Sequence, residues 1–263
     1  MGTIDISLWS LVIGLLLLAA PIYFFRLYKV KLVLSTLTAA LRMVLQLFLI
    51  GLYLKYLFIW NNPWINILWV IIMVVVASFT ATHRTGLKRS VLFIPVSVGF
   101  LVTAMVVGLY FLFFVLHLDN PFSAQYFIPI MGILMGNMLS VNVIAINTYF
   151  DGLQREHQMY YYLLGNGATR FEATAPFVRQ AMVKAFSPCV ANMAVMGIVA
   201  LPGTMIGQIL GGSAPGIAIK YQMMIIVITF TASMLSLMIT IILSGRYSFD
   251  EYGKLRNIMR KHK

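Results

Sequence analysis

Residues 151–184 read DGLQREHQMYYYLLGNGATRFEATAPFVRQAMVK, the one long polar interval between stretches that are otherwise apolar enough to span a lipid bilayer. The interval carries the punctuation of a small folded unit. Gly165 and Gly167 permit a tight turn, and Thr169 with Glu172 three residues on has the spacing of a capping box. The pattern predicts a short helix over 170–175. Pro176 lacks a backbone N–H and sits best in a first turn, so a new helix is expected to start there and run through Phe177, Val178, Ala181 and Met182 toward the membrane. A helix–turn–short helix–turn–helix held on a membrane surface offers a docking face to a soluble partner.

Working outward, the chain of 263 residues is 61% hydrophobic and 10% charged, with a formal net charge of +12. Soluble domains are about one quarter charged, so this composition places the chain in the membrane class. At about 20 apolar residues per span, seven spans are expected, at 6–25, 36–60, 64–82, 91–116, 126–150, 187–211 and 221–244. The fold class read from this is all-α, a single integral membrane domain over 1–263 with its polar segment (151–186) between the fifth and sixth spans and a tail at 245–263. The first run lacks a basic region before it and a small-residue cleavage site after it, so it reads as a mature helix.

Apart from Arg42, Lys55 and Lys220, every Lys and Arg falls after the first, third, fifth or seventh span. These four intervals share one side if seven spans alternate. The positive-inside rule makes that side the cytoplasm, with the N-terminus outside and the C-terminus inside. Trp9, Trp60, Trp64 and Trp69 fall near the expected outer boundaries, where indole rings are favoured. No basic face with interleaved aromatics points to nucleic acid. The tail SFDEYGKLRNIMRKHK reads either as a short basic amphipathic helix on an anionic leaflet or as a topogenic extension.

Chemistry-bearing patterns are sparse. The sequence lacks the G-x-x-x-x-G-K-[ST] loop that cradles nucleotide phosphates, so any ATP and Mg would be bound by another subunit. His83, His117, His157 and His262 lie in four separate intervals, and Cys189 is the single cysteine, expected to be a buried, inert side chain. All the acids lie in loops or tails, which removes the basis for an intramembrane proton relay. Arg42, with Gln46 one turn on, is the one charge deep in an apolar run; it either faces a protein interior, cavity or partner helix, or snorkels to the headgroups. Asn137, Ser140, Asn142 and Asn147 in the fifth span, and Asn192 and Gln208 in the sixth, read either as interhelical glue or as a pathway. The methionines, Met196 and Met205 among them, suit packing or soft metals. Leu201-Pro202-Gly203 predicts a kinked or broken sixth span.

Five stretches together resemble a known family: RMVLQL (42–47), MGNMLSVN (135–142), LLGNGATRFEA (163–173), LPGTMIGQILGGSAP (201–215) and IKYQ (219–222). They are similar to the FetB-type permeases of ABC transporters, a family of proposed iron exporters that includes plant aluminium-tolerance permeases. The resemblance covers about residues 5–244. It implies a homodimeric permease in a bacterial inner membrane, without an ATPase site of its own, paired with a separate ABC-type ATPase and exporting a metal ion or metal complex. It also implies that 151–184 is the coupling segment, with Glu156, Leu164, Gly165, Gly167, Ala168, Thr169, Phe171 and Glu172 meeting the ATPase. The pathway candidates are then Arg42, Gln46, Asn137, Asn142, Asn192, Met196, Pro202, Met205 and Gln208, with the substrate ligands unknown. Residues alone leave two other readings open, a membrane enzyme and an ion-coupled carrier.

Overall fold

The computed structural model describes residues 7–250 and 253–256, and its regular elements are all helical. In chain order they are α1 (Leu8–Leu16), α2 (Ala19–Leu27), α3 (Val33–Trp60), α4 (Pro63–Arg84), α5 (Arg89–Tyr110), α6 (Ala124–Arg155), α7 (His157–Gly165), α8 (Arg170–Val195), α9 (Gly203–Leu210) and α10 (Pro215–Ser248). Five residues, Phe111–Val115, extend α5 with a wider π turn. Among the described residues, six spans are long and apolar enough to cross a membrane: Trp9–Leu27, α3, α4, Arg89–Val115, α6 and α10.

The core lies among α4, α5, α6, α8 and α10, with α5 against α10 the most extensive contact. Small residues make that approach possible: a Cβ on Gly99 of α5 would stand 2.7 Å from Thr240 Oγ1 and 3.0 Å from the Ser236 carbonyl of α10. Asn142 of α6 is fully buried and donates from Nδ2 to Ser236 Oγ (2.8 Å) and to the Met138 carbonyl (2.9 Å). It therefore ties α6 to α10, which is the glue role for an amide in hydrocarbon.

Two ends follow from these contacts. At one, Asn61 closes α3 in the left-handed region and its Oδ1 accepts from the Ala124 N–H (2.9 Å), while Asn66 Nδ2 donates to the Phe122 carbonyl (2.8 Å). The α3–α4 turn and the loop before α6 are thus stitched together, and both are poor in Lys and Arg. At the other, Arg170 Nη1 donates to the Gly245 carbonyl (3.5 Å) and Tyr160 Oη to the Gly253 carbonyl (2.8 Å). That end gathers the start of α8, α7, the end of α10 and the following residues.

The N-terminal helices stand apart from this body. α2 has no buried residue and α3 buries Leu57 alone, near its C-terminus, in a small cluster with Ala124 and Ile128. Tyr53 packs there against Trp69, the rings tilted by 50° with centroids 4.4 Å apart.

Four expectations need correction. Pro176 does not begin a new helix: α8 runs unbroken for 26 residues from Arg170, with Pro176 and Pro188 inside it. The missing N–H of Pro176 would have bonded the Glu172 carbonyl, which lies in the exposed first turn where water can serve it, so the helix survives. The sixth span over 187–211 is broken as expected, but the break begins earlier than Leu201-Pro202-Gly203. α8 stops at Val195, and the chain turns through extended Met196 and Gly197 at φ +81° before Pro202 opens α9. Gly197 supplies a backbone conformation that a side chain disfavours, and Leu201 before Pro202 is held extended. Among the described residues six spans accordingly remain by length and apolar composition. The first span is interrupted between Leu16 and Ala19, four residues before Pro21 removes the donor that the Leu17 carbonyl would accept; residue 6, at its expected start, lies outside the described residues. The amphipathic tail helix does not form over the described part: Phe249 is extended and pairs with Leu255, and 257–263 lie outside the described residues.

Candidate functional site

In the half of the body nearer the end poor in basic residues, α6, α8, α9 and α10 enclose a groove of about 230 Å³. Its polar lining is Asn137 from α6, Asn192 from α8, Thr204 from α9, and Gln222, Thr229 and Ser233 from α10. Thioethers of Met193 and Met196 and the thiol of Cys189 complete it. The broken sixth segment makes the groove: because α8 ends at Val195, α9 can turn back against α10, where Thr204 Oγ1 donates to Gln222 Oε1. Asn137 Nδ2 donates to the Ile133 carbonyl (2.9 Å), leaving its Oδ1 for the groove.

Every ligating atom here is neutral: amide, hydroxyl, thiol and thioether. Among the described residues no group of three or more His, Cys, Asp or Glu stands close enough to hold a metal ion. Neutral oxygen and soft sulfur together suit brief, weak coordination, which a pathway requires because a bound species must also leave.

Of the residues singled out from the sequence, Asn137, Asn192 and Met196 line this groove. Asn142 is buried in the α6–α10 contact, Pro202 caps α9, and Met205 and Gln208 lie half-buried on α9 without lining it. Arg42 and Gln46 are far from it on the exposed surface of α3, uncovered by any helix of the same chain. They sit on the helical face that, two to three turns later, packs through Tyr53 and Leu57. Cys189 was expected to be inert and buried; it is half-exposed in the groove wall.

Sequence reasoning missed Thr204, Gln222, Thr229 and Ser233. A signal existed, since Gln222, Thr229, Ser233, Ser236, Thr240 and Ser244 recur on one face of α10 at helical spacing, all buried. In a span this apolar the stripe is easily passed over as dispersed small residues.

At the opposite end stands the element around Gly167. α6 continues to Arg155, Glu156 marks the bend into α7, and α7 ends at Gly165. Gly167 then takes φ +87°, and Thr169 caps α8. The capping box is complete: the Thr169 N–H and Oγ1 both donate to Glu172 Oε2 (2.7 Å each), and the Glu172 N–H donates to Thr169 Oγ1 (3.3 Å). Those two donors hold the Glu172 carboxyl below its usual range. Leu164 was expected to face a partner, but it packs with Leu163 inward against the core. The apolar side chains displayed furthest outward there are Phe171, 75% exposed, and Tyr162, 70% exposed. Beneath them Tyr160 is buried against Phe249, and burial raises its phenol above the ordinary value. Ala168 is half-buried in the turn.

Six apolar spans with a polar groove at a broken helix define a multi-pass helical membrane protein. The family model described as "Uncharacterised protein family (UPF0014)" matches residues 8–249, and the chain belongs to that family. It is 30% identical over 216 residues to the UPF0014 membrane protein slr1647 of Synechocystis, which covers 81% of this chain and 83% of that protein. Likeness to the Probable iron export permease protein FetB of Escherichia coli is 28% over 258 residues, or 97% of each chain. Protein ALUMINUM SENSITIVE 3 of Arabidopsis thaliana is 32% identical over 186 residues, 70% of this chain and 66% of that one. No solved structure matches the chain.

Proposed function

We propose that this chain is the membrane-spanning subunit of an ATP-driven exporter of a metal ion or small metal complex, working as a homodimer with a separate ABC-type ATPase. The chain itself carries no hydrolytic site in this reading; ATP and Mg belong to the partner. The end that holds α7 and the start of α8 faces the cytoplasm of a bacterial cell, and the groove between α6, α8, α9 and α10 lies on the export pathway. The identity of the cargo is drawn from the iron-export name of the Escherichia coli relative, which aligns over 97% of both chains.

The observation that carries the coupling is the α7–α8 turn. A helix start fixed by a complete capping box displays Phe171 to solvent, in the first turn of α8, which runs without a break into the core. One exposed aromatic anchor on a rigid helix end fits helix-in-groove recognition, where few apolar side chains supply most of the affinity. A force applied there moves α8, whose far end lines the polar groove.

The test is co-purification of the full chain with the ABC-type ATPases of its host, followed by ATP hydrolysis in liposomes against a panel of metal ions and chelates. The reading expects a stable complex whose hydrolysis rises with one metal species. A chain that transports metal with no ATPase present would establish a carrier instead.

A further inference from the structure

Along the outside of the body, α8 and α10 leave a furrow that starts at the α7–α8 end and runs toward the membrane centre. Its mouth is a cavity of about 660 Å³, walled by Val178 and Met182 of α8 and by Met238 and Ile241 of α10, with Arg170 and Arg179 at the rim. Its continuation, about 500 Å³, shares Met182 and reaches Phe186 and Val190. The lining is mostly apolar, with Tyr149, Thr174 and Ser187 among its uncharged polar members, and its two charges, Arg170 and Arg179, belong to the mouth.

The two arginines differ. Arg170 is held in place, its guanidinium on the Gly245 carbonyl (3.5 Å) and 5.7 Å from the centre of the Phe249 ring. Arg179 is exposed, and among the described residues it has no hydrogen bond or ion pair. It stands where the apolar cavity meets a polar groove lined by Arg155 and Lys184 with Asp151 and Glu156. Basic charges exceed acidic ones there, and an anion at the rim would meet Arg179 first.

Length identifies the occupant. From Val178 to Val190 the helix rises about 18 Å at 1.5 Å per residue, against about 15 Å for the hydrocarbon of one leaflet. A cation at headgroup level above an apolar channel one leaflet deep is complementary to a phospholipid. We propose that this furrow binds one anionic phospholipid of the leaflet on the α7–α8 side, with its phosphate on Arg179 and one acyl chain along Val178, Met182 and Phe186. This goes beyond the transport reading and does not depend on it. The lipid lies against α8, the helix that joins the exposed Phe171 end to the polar groove, so its headgroup charge bears on how that helix is seated.

The test is native mass spectrometry of the full chain offered equal amounts of phosphatidylglycerol and phosphatidylcholine. Wild type is expected to retain phosphatidylglycerol preferentially. Arg179→Gln should lower that retention about fivefold, the equivalent of ~1 kcal/mol for one basic residue at a membrane surface. Lys31→Gln, a basic residue in a distant loop, should leave it unchanged. Met182→Trp, which fills the channel, should lower retention of both lipids. Equal retention of the two lipids by wild type overturns the proposal, as does an equal effect of Arg179→Gln and Lys31→Gln. So does a disulfide between two copies carrying Val190→Cys on a Cys189→Ser background in native membranes, which would put a second copy in the furrow.

Discussion

At Gly99 the fold rests on the absence of a side chain. Cβ would meet both a hydroxyl and a backbone carbonyl of α10, and the carbonyl cannot rotate away. Gly99→Ala should therefore force α5 and α10 apart and destabilise the protein by about 1–3 kcal/mol, the usual range for overpacking. Gly14→Ala, with nothing within 4 Å, is the matched control. Thermal or denaturant unfolding in detergent reads the difference, and equal stability of the two variants would show that the α5–α10 contact is looser than described. At Glu172 the effect is electrostatic. A carboxyl held below its usual range in the folded state stabilises the capping box above the unfolded value of about 4.3, and that contribution disappears as pH falls through the lower folded value. Hydrogen exchange at the Glu172 amide, corrected for its intrinsic pH dependence, should show protection at neutral pH that is lost on acidification. Glu172→Gln should remove the pH dependence; a wild type with no such dependence would mean the box is not closed by the carboxylate.

Elements were legible where local chemistry decides them, and obscure where neighbours decide. The Thr169–Glu172 box and a tight turn at Gly167 follow from residue type and spacing, and the structure contains both; a break in the sixth segment was also legible, but at Leu201-Pro202-Gly203, whereas α8 already ends at Val195. Pro176 misled because its cost depends on how exposed the carbonyl one turn back is, and no spacing reports that. The inward packing of Leu163 and Leu164 depends on Phe249, Gly253 and Leu255 lying beneath α7, some ninety residues later in the chain. The groove was half legible: the break at Leu201-Pro202-Gly203 announced it, but its α10 wall is small polar residues spread over three turns. Gly167 now carries an element-scale expectation. A Cβ there has open space around it, so Gly167→Val acts through the backbone and not through a clash. The left-handed region disfavours a β-branched residue, so the turn should reopen and swing α7, with its exposed Tyr162, away from Phe171 at the start of α8. Membrane insertion should be normal while ATPase pull-down falls well below wild type; Gly167→Asn, whose side chain tolerates that region, should be milder. If Gly167→Val binds and stimulates the ATPase like wild type, the α7–α8 turn is not the coupling element.

For the molecule as a whole, orientation is set by how the helices share their ends. α5 and α10 run antiparallel through the Gly99–Thr240 contact, and α6 joins them through Asn142 and Ser236. The α4–α5 interval with Arg84, Lys88 and Arg89 therefore lies at the same end as α7, the α7–α8 turn and the end of α10. The loop containing Asn120 lies at the other, stitched to the α3–α4 turn. A break in the sixth segment would invert this assignment if the sequence alone were counted, because removing one span from an alternating set moves everything after it to the opposite side. The packing removes that ambiguity, since α10 meets α5 and α6 in a fixed register whatever path the chain takes through α9. Basic residues favour the cytoplasmic side, so exposed His83 and Asn166 should be cytoplasmic and Asn120 external. On a Cys189→Ser background, single cysteines at Asn120, His83 and Asn166 test both points at once. A membrane-impermeant thiol reagent should label position 120 in intact cells, and positions 83 and 166 only after permeabilisation. Labelling of 83 and 166 together from outside would invert the protein and place the Phe171 surface beyond the reach of any cytoplasmic ATPase. Opposite behaviour of 83 and 166 would instead break the shared end on which the packing argument stands.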